Sequence, residues 1–175
     1  YACNENRLLL FKGFGEKTQK NVQSSIEFYM KSQGSHLWAD TETYALAIDK
    51  KLKEQFPGKK FELTGQFRRQ SEIIDRLEWV TTASSQELLS YLGANEYKPE
   101  ETLEDFISVI GAENVLLKFY TSNDAGFYPT LFRTSCSPEF AAGIPAIPEN
   151  VYDSEEAIFS AAGIPFIAPA LREQA

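Results

Sequence analysis

The segment Lys12-Gly13-Phe14-Gly15-Glu16-Lys17-Thr18 holds two glycines one residue apart, directly before a helical pattern. Glycines there permit positive φ and a tight reversal, and they leave the first N–H groups of the next helix uncovered. Such N–H groups and the helix dipole favour a phosphate oxygen. Lys12, Lys17 and Lys20 add positive charge nearby. This is the chemistry of a helix-hairpin-helix element, which grips nucleic-acid backbone without reading bases. A Walker-type loop does not fit, because Glu16 interrupts the Gly-Lys-Thr ending and a helix precedes it. A dinucleotide fingerprint fails where Thr18 stands in place of a third glycine. The competing reading is a helix–helix turn that binds nothing.

Arg68-Arg69 is the second place where charge could meet phosphate. The competing reading pairs these arginines with nearby carboxylates such as Glu62 or Glu72. The one histidine, His36, excludes multi-histidine metal sites. His36 and Cys136 stand at unrelated places and make a poor thiol nucleophile and base. Glu100, Glu101, Glu104 and Asp105 read as a solvated face at a helix start, where acids suit the dipole. Trp38 and Trp79 read as core or interface, not as base-stacking platforms.

The elements that must position these residues follow from periodicity. A helix is predicted from Glu16 to about Ser32, stopped by Gly34. The next, capped by Asp40 or Thr41, presents Tyr44, Ile48, Leu52 and Phe56 on one face. Pro57-Gly58 is a turn, and the period then changes to alternation. Lys59 to Phe67, with Phe61, Leu63 and Gly65 on one face, and Ile74 to Thr81 read as strands. Ser85 to Leu92 and Glu100 to Ile110 read as helices closed by Gly93 and Gly111. Val115 to Tyr120 and Phe127 to Thr134 read as a hairpin about Ser122–Gly126. A last helix runs from about Ser154 to Ala162. Ala-Ala-Gly-Ile-Pro occurs at 141–145 and again at 161–165, as two helix ends closed by glycine and proline.

At 175 residues with 43% apolar side chains, 23 of them aromatic, the chain can bury a sizeable core, which excludes global disorder. No apolar run reaches the roughly 18 residues of a membrane span. Two cysteines, Cys3 and Cys136, make no disulfide framework and point to a reducing compartment. The net charge of −8 is unevenly spread. Residues 1–70 carry 12 basic against 8 acidic side chains, and the other 105 carry 5 against 17. An anionic polymer is attracted to the first part and repelled by the second.

Three segments together resemble bacterial family X DNA polymerases of the polymerase beta type. Arg7 to Thr18 resembles that family's second helix-hairpin-helix, where a proline usually takes the place of Lys12. Glu62-Leu63-Thr64-Gly65-Gln66-Phe67-Arg68-Arg69 resembles its Gly-Ser-x-Arg-Arg palm motif, and Ala162 to Glu173 resembles the end of its thumb. The resemblance implies an α+β fold. Residues 1–56 would be helical, 57–140 a nucleotidyltransferase-like palm with a small, mostly antiparallel or mixed sheet and helices on one face, and 141–175 a shortened thumb. It also implies that the chain, which opens on Tyr1, is a piece of a longer one continuing past Ala175 into a His-rich PHP phosphoesterase domain.

By the same resemblance, Lys12, Gly13, Phe14, Gly15, Lys17 and Thr18 would hold DNA backbone. Gly65, Gln66, Arg68 and Arg69 would be candidate phosphate binders, with Gln66 where the family has serine. The family's three metal-binding aspartates map to Arg76, Glu78 and Leu131, the last on a later strand. Two divalent ions roughly 4 Å apart need several carboxylates. Asp75 offers no rescue, because it would face the opposite side of a strand from Glu78. The expectation is therefore a polymerase-inactive scaffold in DNA repair that binds DNA weakly, by its backbone, and without a cofactor. It would be bacterial and cytoplasmic, away from membranes and nucleoid-associated at most. Two alternatives stand beside it. One is an active gap-filling polymerase using Mg²⁺ or Mn²⁺, and the other is a protein-interaction module that binds no DNA.

Overall fold

A computed structural model describes Gly13, residues 15–32 and residues 34–173. Lys12, Phe14, the apolar stretch from Arg7 to Phe11 and Cys3 lie outside the described residues. The chain divides into two units, residues 1–33 and 34–175.

In the first unit, Gly13 has φ +96° and helix α1 runs over Glu16–Ser32, as the periodicity predicts. Lys17 and Thr18 lie exposed in its opening turn.

The second unit is α+β. Its elements are β1 (His36–Leu37), α2 (Trp38–Gln55), β2 (Phe61–Thr64), α3 (Gly65–Arg69), β3 (Ile73–Ile74) and β4 (Arg76–Thr81). They continue with α4 (Ser85–Ala94), β5 (Lys98–Thr102), β6 (Phe106–Ile110), β7 (Leu116–Thr121), α5 (Asp124–Thr134), α6 (Pro138–Gly143) and α7 (Glu155–Ala161). Five strands form a mixed sheet in the order β2-β4-β7-β6-β5, in which only the central β4–β7 pair is parallel. β1 and β3 make a separate two-stranded ribbon.

Alternation along the central strands sorts their side chains between two faces. Leu77 and Trp79 of β4, Leu117 and Phe119 of β7, and Ile107 and Val109 of β6 are all buried against Ile48 and Leu52 of α2 and Leu88 and Leu92 of α4. Trp79 is fully buried, stacks on Phe119 and donates to Asp49 Oδ1 at 3.2 Å. Trp38 likewise stacks on Phe67 and donates to its carbonyl, so Trp79 belongs to the core and the partly buried Trp38 packs against it. The opposite face carries Val80 and Tyr120, on which Phe127 and Leu131 of α5 pack. Helices therefore cover both faces, where one covered face was expected. A further apolar cluster joins Phe132, Phe140, Ile158 and Phe159 of α5, α6 and α7.

Four local expectations are corrected. Glu100–Ile110 is not a helix but most of the β5–β6 hairpin, so its four acids sit on a strand and its turn. Phe127–Thr134 is not a strand but lies in α5, which the Asn123 side chain caps by accepting from Gly126 N–H at 2.8 Å. The strand expected to run to Phe67 ends at Thr64, and Gly65–Arg69 is helical. Helix α2 starts at Trp38, so Asp40 lies in its first turn, and the Thr41 hydroxyl donates to the Trp38 carbonyl instead of capping. Both Ala-Ala-Gly-Ile-Pro copies do close helices, α6 and α7, and Gly163 has φ +74°.

Candidate site on the β4–β7 face

β4 and β7 run parallel with Glu78 opposite Lys118, so Arg76, Glu78, Lys118 and Tyr120 project from one face of the sheet. α3 follows β2, whose Thr64 lies opposite Glu78, and brings Gln66 and Arg69 to the same place. Arg133, near the end of α5, completes the wall. Together these residues line a cleft of about 450 Å³. Two larger hollows contain none of the motif residues. One, of about 680 Å³, lies between α2 and α4, and the other, of about 650 Å³, lies along Pro129, Ile144 and Tyr152.

The one buried acid of the cleft already holds two partners on one oxygen. Glu78 Oε1 lies 3.1 Å from Arg76 Nε and accepts the Tyr120 hydroxyl at 2.9 Å. Burial, and then the Glu78 charge, push the Tyr120 phenol far above its ordinary pKa, so it stays a donor. The Glu78 carboxylate also fills the space beside Gly65, which has φ +65°.

Lys118 lies with its Nζ 3.5 Å from the Phe106 ring centroid and 4.8 Å from that of Tyr120. Burial lowers its pKa, and the neighbouring Arg76 lowers it further.

The other predicted residues are placed as follows. Gln66 makes a two-point contact with Asp75. Its amide nitrogen donates to Asp75 Oδ2 and its carbonyl accepts the Asp75 N–H, each at 2.9 Å. Asp75 precedes β4, takes a third bond from the Ser35 hydroxyl, and is not part of the cleft lining. Its carboxyl is held below the ordinary range by the Gln66 and Ser35 bonds.

Arg69 lines the cleft, but its Nε is paired with Glu173 Oε1 at 2.7 Å. Arg68 turns away into a buried network. It donates to the Ser135 hydroxyl at 2.7 Å and pairs with Glu155, whose other oxygen holds Arg172 at 2.6 Å. The carboxylates that satisfy the two arginines are thus Glu155 and Glu173 from the far end of the chain, and not Glu62 or Glu72.

Leu131 is corrected as well. It sits on helix α5, 2% exposed and packed with Val80 and Phe127, not on a strand in the cleft. The cleft-facing residues on the strand beside β4 are Lys118 and Tyr120, which sequence reasoning missed. The signal is in the sequence, because Val115–Tyr120 reads as a strand and strict alternation puts Lys118 and Tyr120 on one face.

Among the described residues no three His, Cys, Asp or Glu side chains converge to hold a metal ion. Cys136 is a free thiol, and burial raises its pKa. No helix among the described residues is long and apolar enough to cross a membrane. The chain matches no protein-family model, and no curated protein matches it.

Proposed function

We propose that this chain is a nucleotidyltransferase-like palm of family X polymerase type whose polymerase centre is silent. It would serve as a scaffold in DNA repair and hold DNA backbone through the Gly13–Thr18 segment. The observation that carries this reading is the side-chain set on the β4–β7 face. Where two-metal chemistry needs converging carboxylates, Arg76 and Lys118 flank a single buried glutamate already bonded to Arg76 and Tyr120. The cleft lining offers two acids, Glu78 and Asp105, against Arg69, Arg76, Lys118 and Arg133. This donor set does not fit a pair of divalent ions. The positive φ of Gly13, three residues before the first residue of α1, supports the hairpin reading, because a turn there leaves the helix N–H groups open to phosphate.

Calorimetry with Mn²⁺ and a deoxynucleoside triphosphate tests the silent centre, and the expected result is no metal-coupled nucleotide binding. Tight metal-dependent binding would restore the active gap-filling polymerase. Duplex DNA should bind weakly at low salt and be released steeply towards physiological salt, with the Gly13→Val, Gly15→Val double variant abolishing the contact. One observation favours a second reading, a protein-interaction module. The hollow of about 650 Å³ is lined by Pro129, Ile144, Pro145 and Ile147, with Val151 63% exposed on its rim. Absence of DNA binding even at low salt would select that module.

A further inference from the structure

The β4–β7 cleft holds more positive charge than its own acids neutralise. Arg69 is occupied by Glu173, and Arg76 spends its Nε on Glu78 but keeps the rest of its fork. Lys118 and Arg133 pair with no carboxylate among the described residues, yet both line the cleft. Lys118 is held against the rings of Phe106 and Tyr120 instead, so part of its ammonium is out of water. Arg76 and Lys118 project from the same face of adjacent strands, close enough for Arg76 to depress the Lys118 pKa, while the Glu78, Asp105 and Glu101 carboxylates act in the opposite sense without outweighing burial and Arg76. Like charges brought together in a half-dried cleft cost free energy, which an anion between them recovers.

We propose that this cleft takes a terminal phosphate directly, without a divalent cation, through Arg76, Lys118 and Arg133. The ligand class is a phosphate monoester or polyphosphate. Its dianionic end group offers oxygens that match a guanidinium fork and an ammonium point charge. The proposal rests on the silent-palm reading in one respect, the replacement of metal-binding acids by cations, and it requires neither the hairpin nor duplex DNA. Its signature is the reverse of a metal-bridged site. Mg²⁺ binds the phosphate in solution and competes with the protein, so added metal weakens the complex.

The experiment titrates inorganic pyrophosphate into the full chain by calorimetry with EDTA present. Saturable binding is expected, weakened by about tenfold in Lys118→Met and in Arg133→Gln and unchanged in Lys98→Ala, which lies outside the cleft. Excess Mg²⁺ should lower the affinity. A nucleoside triphosphate and a short oligonucleotide, with and without a 5′-phosphate, then distinguish the sources of the phosphate. Preference for the triphosphate identifies a free nucleotide, and preference for the 5′-phosphorylated strand identifies a strand end. Either supports the proposal. No pyrophosphate binding, equal binding by the variants, or a requirement for Mg²⁺ would overturn it. Should Lys118→Met fail to fold, Arg133→Gln carries the test, because Arg133 is exposed on α5. A metal requirement would overturn the silent-palm reading as well, whereas metal-free absence of binding would overturn this inference alone.

Discussion

The Glu78 carboxylate occupies the space that a side chain on Gly65 would need, since a Cβ built there would stand 1.7 Å from Glu78 Oε2. By the resemblance this glycine is a candidate phosphate binder, whose bare backbone a phosphate would approach closely. Here the same close approach is made by a carboxylate of the chain itself, fixed by Arg76 and Tyr120.

Gly65→Ala should therefore destabilise the fold twice over, through the contact with Glu78 and through a positive φ that disfavours any Cβ. A loss of about 2–4 kcal/mol is expected in urea unfolding. In a Glu78→Ala background the contact is gone and only the backbone cost of about 1–2 kcal/mol should remain. A double-mutant cycle isolates the difference, and strict additivity of the two substitutions would refute the close approach.

Glu155 holds two guanidinium groups with its two oxygens, Arg68 on one side and the fully buried Arg172 on the other. Arg172 also lies 4.9 Å from the Phe159 ring centroid, so the charge is lodged among aromatic side chains. Removing one acid leaves two cations without their counter-charge in the interior. Glu155→Gln should cost about 3–5 kcal/mol, far more than a surface pair such as Lys50–Glu54, which is worth about 0.3–0.5 kcal/mol. Thermal unfolding of Glu155→Gln beside Glu54→Gln checks the contrast.

The acid side of the stability profile should be set in part by Asp75 and Glu173. Asp75 is held below its ordinary value of 3.8 by bonds from Gln66 and then Ser35. Glu173 is held below 4.5 by bonds from Ser71 and then Arg69. A carboxyl whose pKa is lower folded than unfolded binds fewer protons in the native state, so its contribution is complete above the unfolded value. That contribution is lost as pH falls through the folded value. Unfolding midpoints should thus change little from neutrality down to about pH 5 and drop below about pH 4. Gln66→Ala and Ser71→Ala should each make that drop shallower, as urea titrations across the range would show.

The sequence carried the sheet's central strands plainly, because the β-rich runs Ile74–Thr81 and Val115–Tyr120 contain β4 and β7, although Ile74 itself pairs in the separate β1–β3 ribbon. It misled where local pattern and tertiary partner disagree. Leu103, Phe106, Ile107 and Ile110 fall at helical spacing, yet Ile107 and Val109 are drawn into the core beside β7 and the segment pairs as a strand. Phe127–Thr134 is rich in aromatics and reads as a strand, yet the Asn123 cap starts a helix whose Phe127 and Leu131, four apart, face Val80. The motif glycine and arginines were found, but their partners Glu78, Glu155 and Glu173 lie up to about a hundred residues away. No local spacing encodes such a pairing.

α2 is tied to the turn after β6 by one hydroxyl. The Tyr44 phenol accepts the Ala112 N–H at 2.9 Å, and a Cβ on the preceding Gly111 would come within 2.5 Å of the same oxygen. The two residues therefore specify each other, because the phenol needs the bare glycine beside it and supplies the acceptor for the Ala112 amide. Tyr44→Phe keeps the ring against the core but removes the acceptor, and should cost about 0.5–1.5 kcal/mol. Gly111→Ala must displace the phenol or press on Leu117 Cδ1, which stands 3.1 Å from the added carbon, and should cost more. The Tyr44→Phe, Gly111→Ala double variant relieves the clash with the oxygen but not the contact with Leu117. It should be less destabilised than the sum of the two single variants, and Ala112 amide exchange should be fast in all three.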